Sequence, residues 1–371
     1  MKIALVKQDI YPDLYVHSKT GKPEDFLKST LMRTGPLGLV TDYKADFYII
    51  KEQKTKECQT YMRSLYISDT MKRQLQTLPA NQLTESVFSF LKPLSDKGHC
   101  DFSINPDEID WSIYDIVISI NVAIPTNIVK KYQNTLWCYM FGEANADNRY
   151  PRYGYDCLLT QNITGEVANK PGIIDFPYTF LGQNTLENIS KKIFKSPLKR
   201  NGIFAEINNT TKRPVTECPC IEKMSTKLKK KLPVYLHNQN IIENLKNLTC
   251  SKYFVKLEGR GIRGNSVIEA ISAGCLVLMN PKDVIHSQLL PEDAWIHNEK
   301  EMIDKINFLE THPSEYKKLL AEEKKMVDFF VVKTPIESLK NALEAKRNGI
   351  SFIKPTIKQN IKEILKVLNL Q

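Results

Sequence analysis

Several things are missing from this sequence, and each absence removes a class of function. No run of eighteen apolar residues occurs, so no segment reads as a membrane span. The start, MKIALVKQDIYPD, is too short and too soon charged for a signal peptide; it reads instead as a first strand. The expected location is therefore cytoplasmic, with reduced thiols and unused sequons at Asn162, Asn188, Asn208, Asn209 and Asn247. Of the eight cysteines only Cys218 and Cys220 stand close together, with no second close pair or nearby histidine, which is poor support for a zinc site. No Asp-x-Asp pair is present to hold a metal ion. There is no zinc finger, RNP-type aromatic strand or basic zipper, and no solenoid period.

What is present is ordinary globular material, with 42% hydrophobic and 25% charged residues over 371 positions, enough for about two domains. The net charge of +10 gathers in runs such as Lys191–Arg200 and Lys227–Lys231. Three readings of that charge stand side by side: solvated helix faces, contact with an anionic membrane surface, or nucleic-acid binding. The last has no accompanying motif.

Strands alternate with helical stretches, which predicts βαβ units and parallel sheets. Residues 2–7, 45–51, 114–121, 135–140 and 157–160 read as strands, with helices over 82–92 and from 125 to 131. A stretch over 171–200, punctuated by Pro171, Gly172, Pro177, Gly182 and Pro197, reads as a linker. Strands at 201–207, 232–237 and 293–297 then alternate with helices at 216–231, 239–248, 300–312 and 314–330. The tail, 356–370, has apolar residues at helical spacing and lysines opposite, as in a packed terminal helix or a membrane-surface helix.

The densest signal is YFVKLEGRGIRGNSVIEAISAGCLVLMN, from Tyr253 to Asn280. It reads as strand, basic glycine-rich loop, helix from Asn265, and a second strand after Gly274. Backbone N–H groups of such a loop, a helix N-terminus and the forked donors of Arg260 and Arg263 suit a diphosphate. A tight turn needed only for steric reasons is the other reading. The loop is not read as a Walker A sequence, nor as the dinucleotide fingerprint with its acidic residue about 20 positions on.

GNSVIEAISAGCLVLMNP resembles the donor-site segment of GT-B glycosyltransferases. The resemblance implies an α/β fold of two Rossmann-like domains facing across a cleft. Residues 1–185 would bind the acceptor and residues 200–340 the nucleotide-sugar donor, with 341–371 as a C-terminal helix packing back on the first domain. In the retaining, glycogen-synthase-like branch two glutamates stand eight positions apart. The second matches Glu269, implied to bind the ribose, while the first falls at Gly261. The loop with Arg263 is also similar to the inverting exostosin type, so inversion and retention both stay open. The resemblance implies a metal-free reaction without a cofactor, on a glycan or lipid-linked acceptor. An epimerase of the same architecture is the nearest alternative; a non-catalytic basic binding protein is a more distant one.

The candidate donor residues are Arg260, Arg263, Gly264, Asn265, Ser266 and Glu269, with Lys212 and Arg213 after the strand at 201–207 and His237 at the end of the strand LPVYLH. Fixed cations stabilise charge building on a leaving diphosphate. A general base for an inverting reaction is sought beyond strand ends of the first half, at Asp9 or Glu143. Trp137 and Tyr139 read as core, and Tyr150, Tyr153 and Tyr155 as a loop able to stack on a sugar ring.

Overall fold

Ile3, Ala4, Leu5 and Val6 are all buried, as expected for a strand covered on both faces in the middle of a parallel sheet. The computed structural model describes residues 1–8, 38–39, 42–50, 100–120, 124–140, 154–160, 172–177, 179–194, 196–206, 231–236, 241–257, 265–283 and 289–350. They divide between two units, Met1–Phe180 with Thr334–Gln371, and Leu181–Lys333.

The first unit is built on seven strands: β1 (Ile3–Gln8), β2 (Asp46–Ile50), β3 (Cys100–Ile104), β4 (Ile116–Ile120), β5 (Leu136–Met140), β6 (Cys157–Thr160) and β7 (Ile173–Asp175). They lie in the order β3-β2-β1-β4-β5-β6-β7, and every pairing is parallel. The chain builds outward from β1 to β3, then returns to the far side of β1 with β4. Adjacent β1 and β4 therefore flank a topological switch point, the place where ligands bind open α/β sheets. A short helix, α1 (Thr126–Lys131), links β4 to β5.

The amino ends of these strands are tied down by aromatic residues. Tyr48, Trp111, Tyr114, Trp137, Tyr139 and Tyr155 form a chain of ring contacts with centroids 5.5 to 6.4 Å apart. Their polar ends are satisfied: Tyr114 Oη donates to Asp46 Oδ2 at 2.7 Å, Trp111 Nε1 to the Pro106 carbonyl and Trp137 Nε1 to the Tyr132 carbonyl. Trp137 and Tyr139 are core, as read from the sequence. Tyr155 is also core: it is buried, and its hydroxyl accepts from the Ile124 N–H. The sequence misleads there because the loop around it is polar, while its ring reaches back onto Trp137 and Tyr139.

The second unit starts with α2 (Thr185–Ile193) and continues through β8 (Gly202–Ala205), β9 (Val234–Leu236), α3 (Ile241–Cys250), β10 (Ser251–Lys256), α4 (Asn265–Ser272), β11 (Leu276–Met279), α5 (Glu299–Thr311) and α6 (Pro313–Val327). Its sheet runs β11-β10-β8-β9, again all parallel. Here the order turns between β8 and β10. The outer edge of β11 is closed by two devices. Met279 forms a lone parallel bridge with Trp295, and the Val277 N–H is received by both carboxyl oxygens of Glu323 from α6.

A π-helical turn, Asp328–Lys333, leads into α7 (Thr334–Arg347), which belongs to the first unit and packs against β5 and β7. Lys346 Nζ donates to the Thr135 carbonyl at 2.8 Å and pairs with Asp156, and Arg347 pairs with Asp115. The α/β class and the parallel sheets agree with the sequence reading.

Several local expectations do not survive. The stretch read as a linker holds β7 and α2. The strand expected at 293–297 is a 3-10 turn, Glu292–Ala294, followed by the single bridge at Trp295. The helix expected to 330 is α-helical to Val327 and continues as the π-helical turn to Lys333, so it runs longer than read. β3, with polar Asp101 and Ser103, and β7, only three residues long, carry too weak a pattern to be read alone. The expected helices at 82–92 and 356–370 lie outside the described residues, as does all but the last residue of the one at 216–231.

Candidate functional site

In a parallel sheet all carboxyl ends share one edge, so the topology alone gathers the segments that follow each strand. In the second unit these are the residues after β8, β10 and β11, and the start of α4. β10 and β11 are adjacent, and α4 is the crossover between them. The local sequence explains this unit well. Tyr253, Phe254 and Val255 fill the sheet, and Val267, Ile268, Ala270 and Ile271 form the apolar stripe of α4, all buried. Gly274 ends the helix with a φ of +95°, open to glycine at little cost. Its N–H bonds the Ile271 carbonyl, and the Cys275 N–H bonds that of Ala270, which is the paired pattern of a Schellman cap. The glycine-rich segment, residues 258–264, thus runs from the carboxyl end of β10 to the start of α4.

Three of the sequence-predicted residues are described, and all lie on α4. Asn265 opens it, Ser266 follows, and Glu269 is one turn in; each is half-buried. Ser266 Oγ donates to Glu206 Oε2 at 2.8 Å. Glu269 is engaged with neighbouring groups. The other candidates, Asp9, Glu143, Lys212, Arg213, His237, Arg260, Arg263 and Gly264, lie outside the described residues. Three of them come after described strands in the chain. Asp9 follows β1 directly and His237 follows β9; Glu143 comes three residues after β5.

Glu206 was not anticipated. It stands directly after β8, and its N–H bonds the Val255 carbonyl of β10 at 3.1 Å. The signal was present in Asn201–Ile207, a strand pattern interrupted near its carboxyl end by one acid. Lys256, the last residue of β10, was also passed over; it is 1% exposed. One reading of the loop needs correction. Gly259, Gly261 and Gly264 do stand in the order G-x-G-x-x-G, and Asp283 follows Gly264 by nineteen positions. The motif follows a strand, opens a helix and is succeeded by a parallel strand, the setting in which it cradles phosphates. Asp283 sits in a 3-10 turn just past β11, its N–H on the Asn280 carbonyl.

Elsewhere, titratable groups are shifted for structural reasons. Burial pushes the Glu323 carboxyl well above the ordinary glutamate range, against the hydrogen bond from the Val277 N–H. Burial also acts to raise Glu310, but hydrogen bonds from Lys231, Lys252 and Tyr253 outweigh it and hold the carboxyl low. Asp175, at the carboxyl end of β7, is raised to about 7 by burial. A carboxyl titrating near neutrality at that edge of a parallel sheet is a functional candidate the sequence did not flag. A surface depression lined by Trp295, Ile296, Glu301, Asp304, Lys305 and Phe308 lies beside α5, and Glu301 there is committed to capping that helix. Among the described residues, no three His, Cys, Asp or Glu side chains converge as metal ligands, and no helix is long and apolar enough to cross a membrane.

No family model matches this chain, and no curated protein matches it in sequence. Solved structures do resemble it. The DNA-modifying enzyme β-glucosyltransferase aligns over 93% of this chain and 100% of its own, at 12% identity and a TM-score of 0.43. The T4 phage enzyme of that kind with its UDP-glucose substrate aligns over 94% and 99%, at 12% identity and a TM-score of 0.40. Sucrose-phosphate synthase from Thermosynechococcus elongatus aligns over 94% and 98%, at 10% identity and a TM-score of 0.38. These neighbours are glycosyltransferases by name or substrate, but such scores carry no residue or activity over to this chain.

Proposed function

We propose that the chain is a GT-B glycosyltransferase that moves a sugar from a nucleotide-sugar to a glycan or lipid-linked acceptor. One observation carries the reading. The segment with three glycines and two arginines joins β10 to α4 at the carboxyl edge of a parallel sheet, where its order turns. In this reading Arg260 and Arg263 neutralise the donor diphosphate, and the loop amides with the α4 N-terminus hold its oxygens. Glu269 accepts from a ribose hydroxyl. Lys212 and Arg213 follow β8 in the chain and His237 follows β9, and they would add to that charge. As the glycosyl–phosphate bond breaks, negative charge grows on the departing diphosphate, and fixed guanidiniums stabilise it without a metal ion. Asp9 or Glu143 takes the proton from the acceptor hydroxyl if the reaction inverts. The net charge of +10 suits an acceptor presented at an anionic membrane surface.

The experiment is a thermal-shift panel of nucleoside diphosphates with the purified protein. UDP or GDP is expected to raise the melting temperature, and Arg263→Ala to erase the shift. No stabilisation by any nucleotide would overturn the reading. A nucleotide-sugar hydrolysis screen then reports the donor without an acceptor.

A second reading has its own observation, the G-x-G-x-x-G spacing with Asp283 downstream, which supports a dinucleotide. The two arginines in the loop favour the leaving-group role instead, since they supply charge where a diphosphate departs. Quenching or enhancement of NADH fluorescence on mixing, with no response to UDP or GDP, would reverse that preference.

A further inference from the structure

Leu319, Glu323 and Val327 are buried at four-residue spacing along α6, and the helix packs on α4 and β11. Position 330 lies seven residues after Glu323 and three after Val327, so an unbroken α-helix would place Phe330 on that buried stripe. The chain does otherwise. At Asp328 the helix widens into the π-helical turn, which buries Val331 and Val332 and leaves both phenylalanines outside. Phe329 is 54% exposed and Phe330 38%, with their rings edge to face and centroids 4.9 Å apart. The larger apolar side chains of the turn stay in water while the smaller ones fill the interior. A π-helical departure that breaks the local packing rule in this way marks a place kept for function.

The neighbouring charge shows what kind of surface these rings meet. Lys318, Ala321, Lys325, Phe329 and Lys333 are all exposed and follow one another at three- to four-residue spacing, a stripe roughly 20 Å long. Lys318 and Lys325 hold no ion pair among the described residues, whereas Lys324 is bonded to Asn184 and Glu187. Glu322 and Asp328 stand on the flanks, and Asp328 pairs with Lys333 at 2.9 Å. The stripe itself holds three lysines and no acid. A second copy of this chain would bring the same positive stripe. The chain's own end, residues 351–371, has four lysines against one glutamate. Like charge disfavours both as occupants. Duplex nucleic acid would answer the lysines but leave the rings in water. A bilayer with anionic lipid answers both: phosphates meet the lysines, and the rings enter at the boundary of headgroups and acyl chains.

We propose that this face of the second unit is a docking surface for an anionic lipid bilayer, with Phe329 and Phe330 inserted and Lys318, Lys325 and Lys333 against lipid phosphate. The contact is peripheral and reversible, since two rings and three lysines anchor far more weakly than a spanning helix. It is independent of the donor site; a protein that bound no nucleotide would still carry it.

Vesicle flotation of the full chain tests this. Vesicles of equal parts phosphatidylcholine and phosphatidylglycerol are expected to carry the protein, and vesicles of phosphatidylcholine alone are not. Phe329→Ala is expected to lower the partition coefficient about fivefold or more, and Phe329→Ala with Phe330→Ala about tenfold or more. Lys318→Glu with Lys325→Glu is expected to lower it about tenfold or more, and added salt to weaken the wild type. Every substituted side chain is exposed, so melting temperatures should hold; if one variant fails to fold, the other decides alone. No binding to the anionic vesicles overturns the proposal, as does equal binding to both vesicle types, or binding that none of these variants weakens. Duplex DNA binding that the lysine variant abolishes, with vesicles ignored, would give the face to nucleic acid. A dimer that Phe329→Ala dissociates, read by light scattering, would give it to a second copy. Either result overturns the proposal.

Discussion

The two ends of the second sheet place charge in opposite ways. At the amino end, Arg200 is enclosed by acceptors: Nη1 donates to the Ser251 carbonyl at 2.7 Å and, more weakly, to that of Leu248, and Nη2 donates to the Ala273 carbonyl at 2.6 Å. One guanidinium therefore ties the ends of α3 and α4 to the start of β10. Lys252 and Tyr253 likewise close on Glu310, and Tyr316 stacks edge-on against Tyr253. At the carboxyl end, Ser266 at the start of α4 donates to Glu206 just past β8, a side chain bonded to a side chain. The first end uses charge to hold backbone together; the second is where the proposed function places an anion. A parallel sheet separates these tasks because only its carboxyl edge leads into the loops that precede helix N-termini.

If the contrast is sound, damage at the amino end should cost stability and spare ligand preference. The largest effect is expected for Arg200→Ala, which leaves the Ser251 and Ala273 carbonyls without their donor. A loss of about 3 kcal/mol is expected in urea denaturation, with the ratio of diphosphate to nucleoside affinity unchanged. Gly274→Ala should cost about 2 kcal/mol. Its φ of +95° disfavours a side chain, and the added Cβ would meet Arg200 Nη2 at 3.0 Å and Glu187 Oε2 at 3.1 Å. A shift in diphosphate preference from either variant would break the separation of the two ends.

Glu323 sharpens the contrast through pH. Its carboxyl is fully buried and raised, so the folded protein retains a proton that the unfolded chain releases above the ordinary glutamate range. Its contribution to stability is complete below that range and declines as pH climbs towards the raised folded value. Glu323→Gln keeps an acceptor for the Val277 N–H and should remove that decline. The variant should match wild type near pH 4 and exceed it increasingly as pH rises towards 8, read from denaturation midpoints. Equal midpoints across that range would show the carboxylate to be accommodated ionised. The smallest effect on folding belongs to Ser266→Ala at the carboxyl end: under about 1 kcal/mol of stability, but a measurable change in diphosphate affinity by calorimetry.

Much of the architecture was legible because it is written in short-range pattern. The run IALV and the run IVISI, apolar but for Ser119, suit strands covered on both faces, and the stripe of Val267, Ile268, Ala270 and Ile271 has helical spacing. Weak patterns hid β3 and β7. Tyr155 misled because its neighbours in sequence are polar and its neighbours in space are aromatic. The glycine-rich segment was read as a place for an anion, although its G-x-G-x-x-G spacing was passed over. Glu206 and Ser266 were not legible as partners. They stand sixty residues apart, and nothing local in either stretch reports the other.

The chain's own order of residues determined most of the central strands and helices, the two-faced burial of strands such as β4, β5 and β11, and that a basic glycine-rich segment precedes α4. Tertiary structure decided strand order, and with it which carboxyl ends become neighbours. That step brought Glu206 within hydrogen-bond reach of Ser266 and enclosed Arg200 among carbonyls. Pairing between strands far apart in sequence depends on register and packing that no single segment encodes, so the environment of each buried charge appears only once the sheet has formed.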